Sequence, residues 1–203
     1  MTRELRESST GRGVPSLERR LAAAARAYER DRYPEALAAI RPVVDATPTS
    51  ASVRELYGLI LYRLGRWRNA AKELRGFHAI SGSFDQHPVI ADCERAMGHL
   101  PRVEEIWTEI RQGGVGREVV VEGRLVMAGA LADAGRLSEA IELLKPEGRA
   151  RKHPDLAHLR EWYVLADLYE RAGDLSRARE LFRRVAVAAP DLLDAPQRLA
   201  ELR

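Results

Sequence analysis

Glu104 and Glu105 are adjacent, so a helix turns them to different sides and they cannot share a proton as a general acid–base pair. Asp92 and Cys93, with His87 and His99, form the one cluster that mixes thiol, imidazole and carboxylate. Its spacing fits neither zinc ligation nor a Cys–His nucleophile. Cys93 is the only cysteine, which excludes an intrachain disulfide. Gly113-Gly114-Val115-Gly116 has no Lys-Ser/Thr after it and no strand before it, so it reads as a connector rather than a phosphate cradle. His78, His153 and His158 read as surface or inter-helix residues. These residues supply no catalytic set and call for no metal and no cofactor. The chain is expected not to be an enzyme.

The remaining charge is equally undirected. The 203 residues carry 33 Lys and Arg against 30 Asp and Glu, a net charge of +3. Basic clusters at Arg63, Arg66, Arg68, Lys72 and Arg75, and at Arg149, Arg151 and Lys152, are interleaved with Glu73, Glu147 and Asp155. That balance argues against nucleic acid and for a solvated face. Only Lys72, Lys145 and Lys152 are lysines, a skew that with abundant Ala fits a GC-rich bacterial genome. Met1 to Glu7 lacks the apolar stretch of a signal peptide, and no apolar run nears the ~18 residues of a membrane span. A cytoplasmic setting without membrane contact is the expectation.

What must position such residues is a repeat. Gly65-Arg66-Trp67-Arg68-Asn69-Ala70 returns at Gly98, at Gly135 and at Gly173, with an upstream cousin at Asp31; the starts lie 34, 33, 37 and 38 residues apart. A period in the mid-thirties with a mid-unit Gly turn means stacked helical hairpins, none of which buries its apolar stripe alone. The pattern divides the chain into a disordered arm over 1–15, a single solenoid over 16–190 with Ser16 as its first helix cap, and a capping helix over 191–203. Pro34 suits a helix start, Pro48 and Pro190 follow helix ends, and Pro146 stops the fourth hairpin early. The connectors at 111–117 and 146–154 are longer than the others, which lengthens the last two spacings.

The fifth unit carries Trp162, Leu165, Ala166 and Tyr169, then Ala178, Phe182 and Pro190. This resembles the tetratricopeptide repeat, with Ala166 in place of that family's Gly. Tyr57, Gly58, Leu61, Ala70 and Leu74 match in the second unit; Met127, Ala128, Leu131, Ala140 and Leu144 in the fourth; Ala24, Ala36, Ile40 and Pro48 in the first. The third departs: Ala91 fits, but Glu94 stands at the aromatic position and Val103 at the second small one. A carboxylate facing a hairpin core is costly unless paired. The resemblance implies an all-α, right-handed α-solenoid of about five hairpins plus the capping helix.

It also implies a binding face. In tetratricopeptide proteins one side of each first helix lines a concave groove for partner segments. The positions here are Leu21, Ala25 and Tyr28; Glu55, Leu59 and Tyr62; Pro88, Asp92 and Arg95; Leu125, Gly129 and Ala132; and Tyr163, Asp167 and Glu170. One end reads as apolar with exposed Tyr28 and Tyr62, the far end as acidic. The function expected is a non-enzymatic adaptor that takes an internal segment of a protein partner, with a Lys or Arg meeting Asp167 and Glu170. A carboxylate clamp for acidic chain ends is not expected, because like charges repel there. A nucleic-acid-binding helical array and a homo-oligomerising regulator are the other readings left open.

Overall fold

The computed structural model describes residues 14–148 and 152–202. They contain eleven α-helices and no strand. The chain divides into two compact units, Met1–His99 and Leu100–Arg203, with the boundary in the turn of the third hairpin. The first unit holds α1 (Val14–Glu29), α2 (Tyr33–Ala46), α3 (Ala51–Arg63), α4 (Trp67–Ser81) and α5 (His87–Ala96). In it α1 pairs with α2 and α3 with α4, while α2 packs on α3 and α4 on α5. The second unit holds α6 (Leu100–Gln112), α7 (Arg117–Asp133), α8 (Leu137–Leu144), α9 (Leu156–Arg171), α10 (Leu175–Ala188) and α11 (Ala195–Glu201). Here α7 pairs with α8 and α9 with α10; α6 packs on α7, α8 on α9, and α10 on α11.

The recurring phrase is a helix stop. Gly65, Gly98, Gly135 and Gly173 have φ of 70° to 79°, the left-handed conformation that glycine adopts without Cβ strain. The next residue then returns its N–H to a carbonyl five residues back: Arg66 to Leu61, His99 to Glu94, Arg136 to Leu131 and Asp174 to Tyr169, all within 2.8–2.9 Å. These are Schellman turns. Asp31 takes the same conformation at φ 57°, and Arg32 bonds Ala27 at 2.9 Å. Aspartate tolerates it where most residues do not.

The small residues expected at helix crossings are there. Ala36, Ala70, Ala140 and Ala178 are each 0 % exposed. A Cβ on Gly58 would lie 2.6 Å from Leu74 Cδ2, so α3 and α4 approach as closely as they do only because that position is bare. Trp162, Leu165, Ala166, Tyr169 and Phe182 form the core of the fifth hairpin as expected. Glu94 is buried, and the anticipated cost is met by pairing: Arg75 Nη2 lies 2.5 Å from one carboxylate oxygen and His99 Nδ1 2.8 Å from the other. Burial opposes its charge, but these partners outweigh burial and hold the carboxyl below its usual range.

Helix ends differ from expectation in two places. The first described helix is already formed at Val14, so Ser16 lies inside its first turn; the rest of the expected arm falls outside the described residues. The C-terminal helix is confined to Ala195–Glu201. Pro146 acts as expected: α8 has 8 residues and gives way to a 3-10 turn at Lys145–Gly148, whereas α2, α4, α6 and α10 run 13–15.

Candidate functional site

In unit one the expected binding positions on α1 and α3 recur at helical spacing, but they are less open than the sequence suggests. Leu21 is only 1 % exposed and belongs to the core of the first hairpin. Tyr28 is half-buried, edge-on to Tyr33 with centroids 5.6 Å apart. Tyr62 is half-buried against Trp67 at 5.4 Å, and its hydroxyl donates to Asp92 Oδ2 at 2.7 Å. Asp92 also lies 3.4 Å from Arg95 Nη1. Glu55 accepts from Gln86 Nε2 at 2.8 Å. Pro88 is buried, while Ala25 and Leu59 keep partial exposure.

In unit two Leu125 and Ala132 are buried and Gly129 is half-buried. The three positions on α9 are each engaged by the segment that carries α11. Tyr163 donates to Asp194. Arg198 Nη2 lies 2.9 Å from Asp167 Oδ1 and 2.8 Å from Glu170 Oε2. Its guanidinium stands 4.9 Å over the Phe182 ring. The cation expected from a partner is therefore supplied by the chain itself.

Six of the fifteen expected positions, Glu55, Tyr62, Asp92, Tyr163, Asp167 and Glu170, thus act as ties from one first helix to the segment stacked next to it. The same device joins α7 to α9, where Arg124 meets Glu161 at 3.0 Å and Arg117 meets Asp155 at 2.7 Å. Gln86, Asp194 and Arg198 were not among the expected site residues. The repeat itself carries the signal that finds them. Tie partners lie 30 or 31 residues apart at Tyr62–Asp92, Tyr163–Asp194 and Asp167–Arg198, and 37 or 38 apart across the longer connector.

Two openings lie on the second-helix side of unit two. One, about 670 Å³, is floored by Leu165, Tyr169 and Leu181 and bordered by Lys145, Arg177 and Arg184. The other, about 370 Å³, is bordered by Trp107, Met127, Leu131 and Leu143. Both flank α8, whose early end leaves its neighbours uncovered. The rim charges are satisfied locally: Lys145 with Glu142 at 2.8 Å, Arg184 with Glu180 at 3.0 Å, Arg177 with Asp174 at 3.0 Å.

The Cys93 thiol is buried and pushed up to about 12 by that burial and by the charges of Asp92 and Glu94, which makes it a poor nucleophile. Among the described residues, no three of His, Cys, Asp and Glu come together as metal ligands. No described helix is long and apolar enough to cross a membrane.

The family model described as tetratricopeptide repeat matches residues 19–80 and 125–192. The gap between the two matches holds α5, α6 and Glu94, where the repeat pattern departs most. Among solved structures, the chain is similar to TTC0263, a thermophilic TPR protein of Thermus thermophilus, at 17% identity. That match covers 92% of this chain and 98% of the other, with a TM-score of 0.66. It is also similar to the TPR domain of P58(IPK), at 16% identity over 93% of this chain and 55% of the other, with a TM-score of 0.44. No curated protein matches the chain.

Proposed function

This chain belongs to the tetratricopeptide-repeat family, and from that premise we propose that it is a non-enzymatic adaptor whose first-helix faces receive a segment of a protein partner. Helical hairpins of this family make a protein-interaction repeat module. The observation that supports the finer reading is the half-open strip of Ala25, Tyr28, Leu59 and Tyr62 on α1 and α3. It offers two amphipathic aromatics, of the type enriched at interface anchors, beside small and aliphatic neighbours. Its rings are held edge-on by Tyr33 and Trp67, so little freedom is lost on binding.

Site-resolved photocrosslinking in the native host tests this. A benzophenone amino acid at Leu59 is expected to capture a discrete protein, whereas the same label at exposed Lys72 on α4 is not. Equal capture from both positions would overturn the assignment of the face. Retention on nucleic acid that collapses with salt, with no protein adduct from Leu59, would favour a phosphate-binding array instead.

A further inference from the structure

Every binding position expected on α9 is already occupied, and the occupant is the chain's own C-terminal helix. Asp194 takes the Tyr163 hydroxyl, while Arg198 takes both Asp167 and Glu170 and stacks over Phe182. We propose that α11 is a displaceable strap, and that the seat beneath it takes an arginine-bearing segment of the partner in place of Arg198. This rests on the adaptor reading above and adds to it the partner's chemistry at this end of the molecule.

Three features support displacement. First, α11 has 7 residues, too few for a helix that holds itself together in water. Its hold on unit two is narrow: Ala195 and Leu202 are its buried apolar side chains, and Arg179 Nε donates to the Leu202 carbonyl at 2.7 Å. Second, the strap is entered through Leu193, a residue with a Cβ held at φ 56° and 60 % exposed. Left-handed backbone strains leucine, and lifting the strap relieves it. Third, the seat suits a planar cation. Two carboxylates from successive turns of α9 converge on one guanidinium nitrogen, and the Phe182 face lies behind it. An ammonium would meet the charges but would lay no plane against the Phe182 ring. Burial opposes the charge of Arg198, but its two ion pairs outweigh burial, so the side chain stays a cation at neutral pH.

The test uses a fluorescein-labelled peptide of residues 190–203, added in trans to full-length proteins and read by anisotropy. Arg198→Ala vacates the seat and is expected to bind the peptide at least 10-fold more tightly than the unaltered chain. The gain should vanish when the peptide carries Ala in place of its own Arg198, and when Asp167→Asn and Glu170→Gln are added to the protein. Equal affinity of Arg198→Ala and unaltered protein, or indifference to the peptide's arginine, overturns the proposal. Should Arg198→Ala fail to fold, Leu193→Gly decides in a folded chain. Glycine accepts φ 56°, so the strap closes more firmly, and its amides should exchange several-fold more slowly. Unchanged exchange counts against the strap. The crosslinking test reads Leu59 in unit one, a site this experiment never touches, so either idea can fail alone.

Discussion

Tyr62 on α3 and Asp92 on α5 are joined by a 2.7 Å hydrogen bond across the joint between the second and third hairpins. Burial and then the neighbouring carboxylate raise the Tyr62 hydroxyl's pKa above that of a free tyrosine, so it remains a donor at any ordinary pH. Tyr62→Phe keeps the ring against Trp67 and removes only the tie. It should lower the unfolding free energy by about 1 kcal/mol. Asp92→Ala on top of it should add less than it does alone, because the two share one interaction. Urea melts of the four-protein cycle measure this, and strictly additive losses would refute the coupling.

Glu94 offers a sharper contrast. Its partners Arg75 and His99 are about half exposed, so they rehydrate when the carboxylate is removed. Glu94→Ala leaves a void and should cost on the order of 1–2 kcal/mol. Glu94→Leu fills the position with an apolar side chain, as in the other hairpins, and should be close to neutral. A large loss on Glu94→Leu in a thermal melt would mean that the ion pairs themselves hold α5 in place.

Close helix approach predicts intolerance of added volume. Gly58→Ala drives a methyl into Leu74, and Ala178→Leu overpacks a fully buried crossing; each should cost about 1–3 kcal/mol. Gly82→Ala is a useful comparison, since its penalty comes only from the positive φ and nothing lies within 4 Å of the added carbon. Chemical denaturation should rank Gly58→Ala as the more damaging of the two glycine changes.

Acid should loosen unit one at a second place. His87 is buried against His78 and Phe84, and its pKa is lowered to about 4 by burial first and by the charges of His78 and Arg75 after it. Unfolded, the same imidazole takes its proton near pH 6.5. Between those values the unfolded chain binds the extra proton, so stability is intact above about pH 6.5 and falls as pH drops toward 4, by on the order of 3 kcal/mol in full. The Glu94 contribution is lost only lower, below the ordinary carboxylate range. His87→Phe should flatten the upper part of the profile alone; an unchanged slope between pH 6.5 and 4 would exclude His87 as its source.

The fold was legible because the turns are local. Gly65, Gly98, Gly135 and Gly173 declare a left-handed backbone in the sequence itself, and Pro34, Pro48 and Pro146 mark helix ends where the structure has them. Glu94 was legible as an anomaly but not its resolution, since Arg75 belongs to the preceding hairpin. The binding face was legible in phase and not in exposure. Helical spacing groups Leu21 with Tyr28, yet only the packing of α1 on α2 decides that Leu21 faces inward. Arg198 was readable only by its offset, 31 residues after Asp167 as Asp92 lies 30 after Tyr62, and packing alone decides which residues at that offset touch.

The ties between first helices give each unit a directional stiffness. A hydrogen bond such as Tyr62–Asp92 or Arg124–Glu161 fails within about an ångström of extension, whereas apolar contact fades gradually as surfaces part. Opening a joint on the first-helix side therefore meets an abrupt yield point. Opening it on the second-helix side of unit two, beside the shortened α8, meets a soft and continuous resistance. Under load the second unit should bend one way as a brittle strut and the other way as a compliant one.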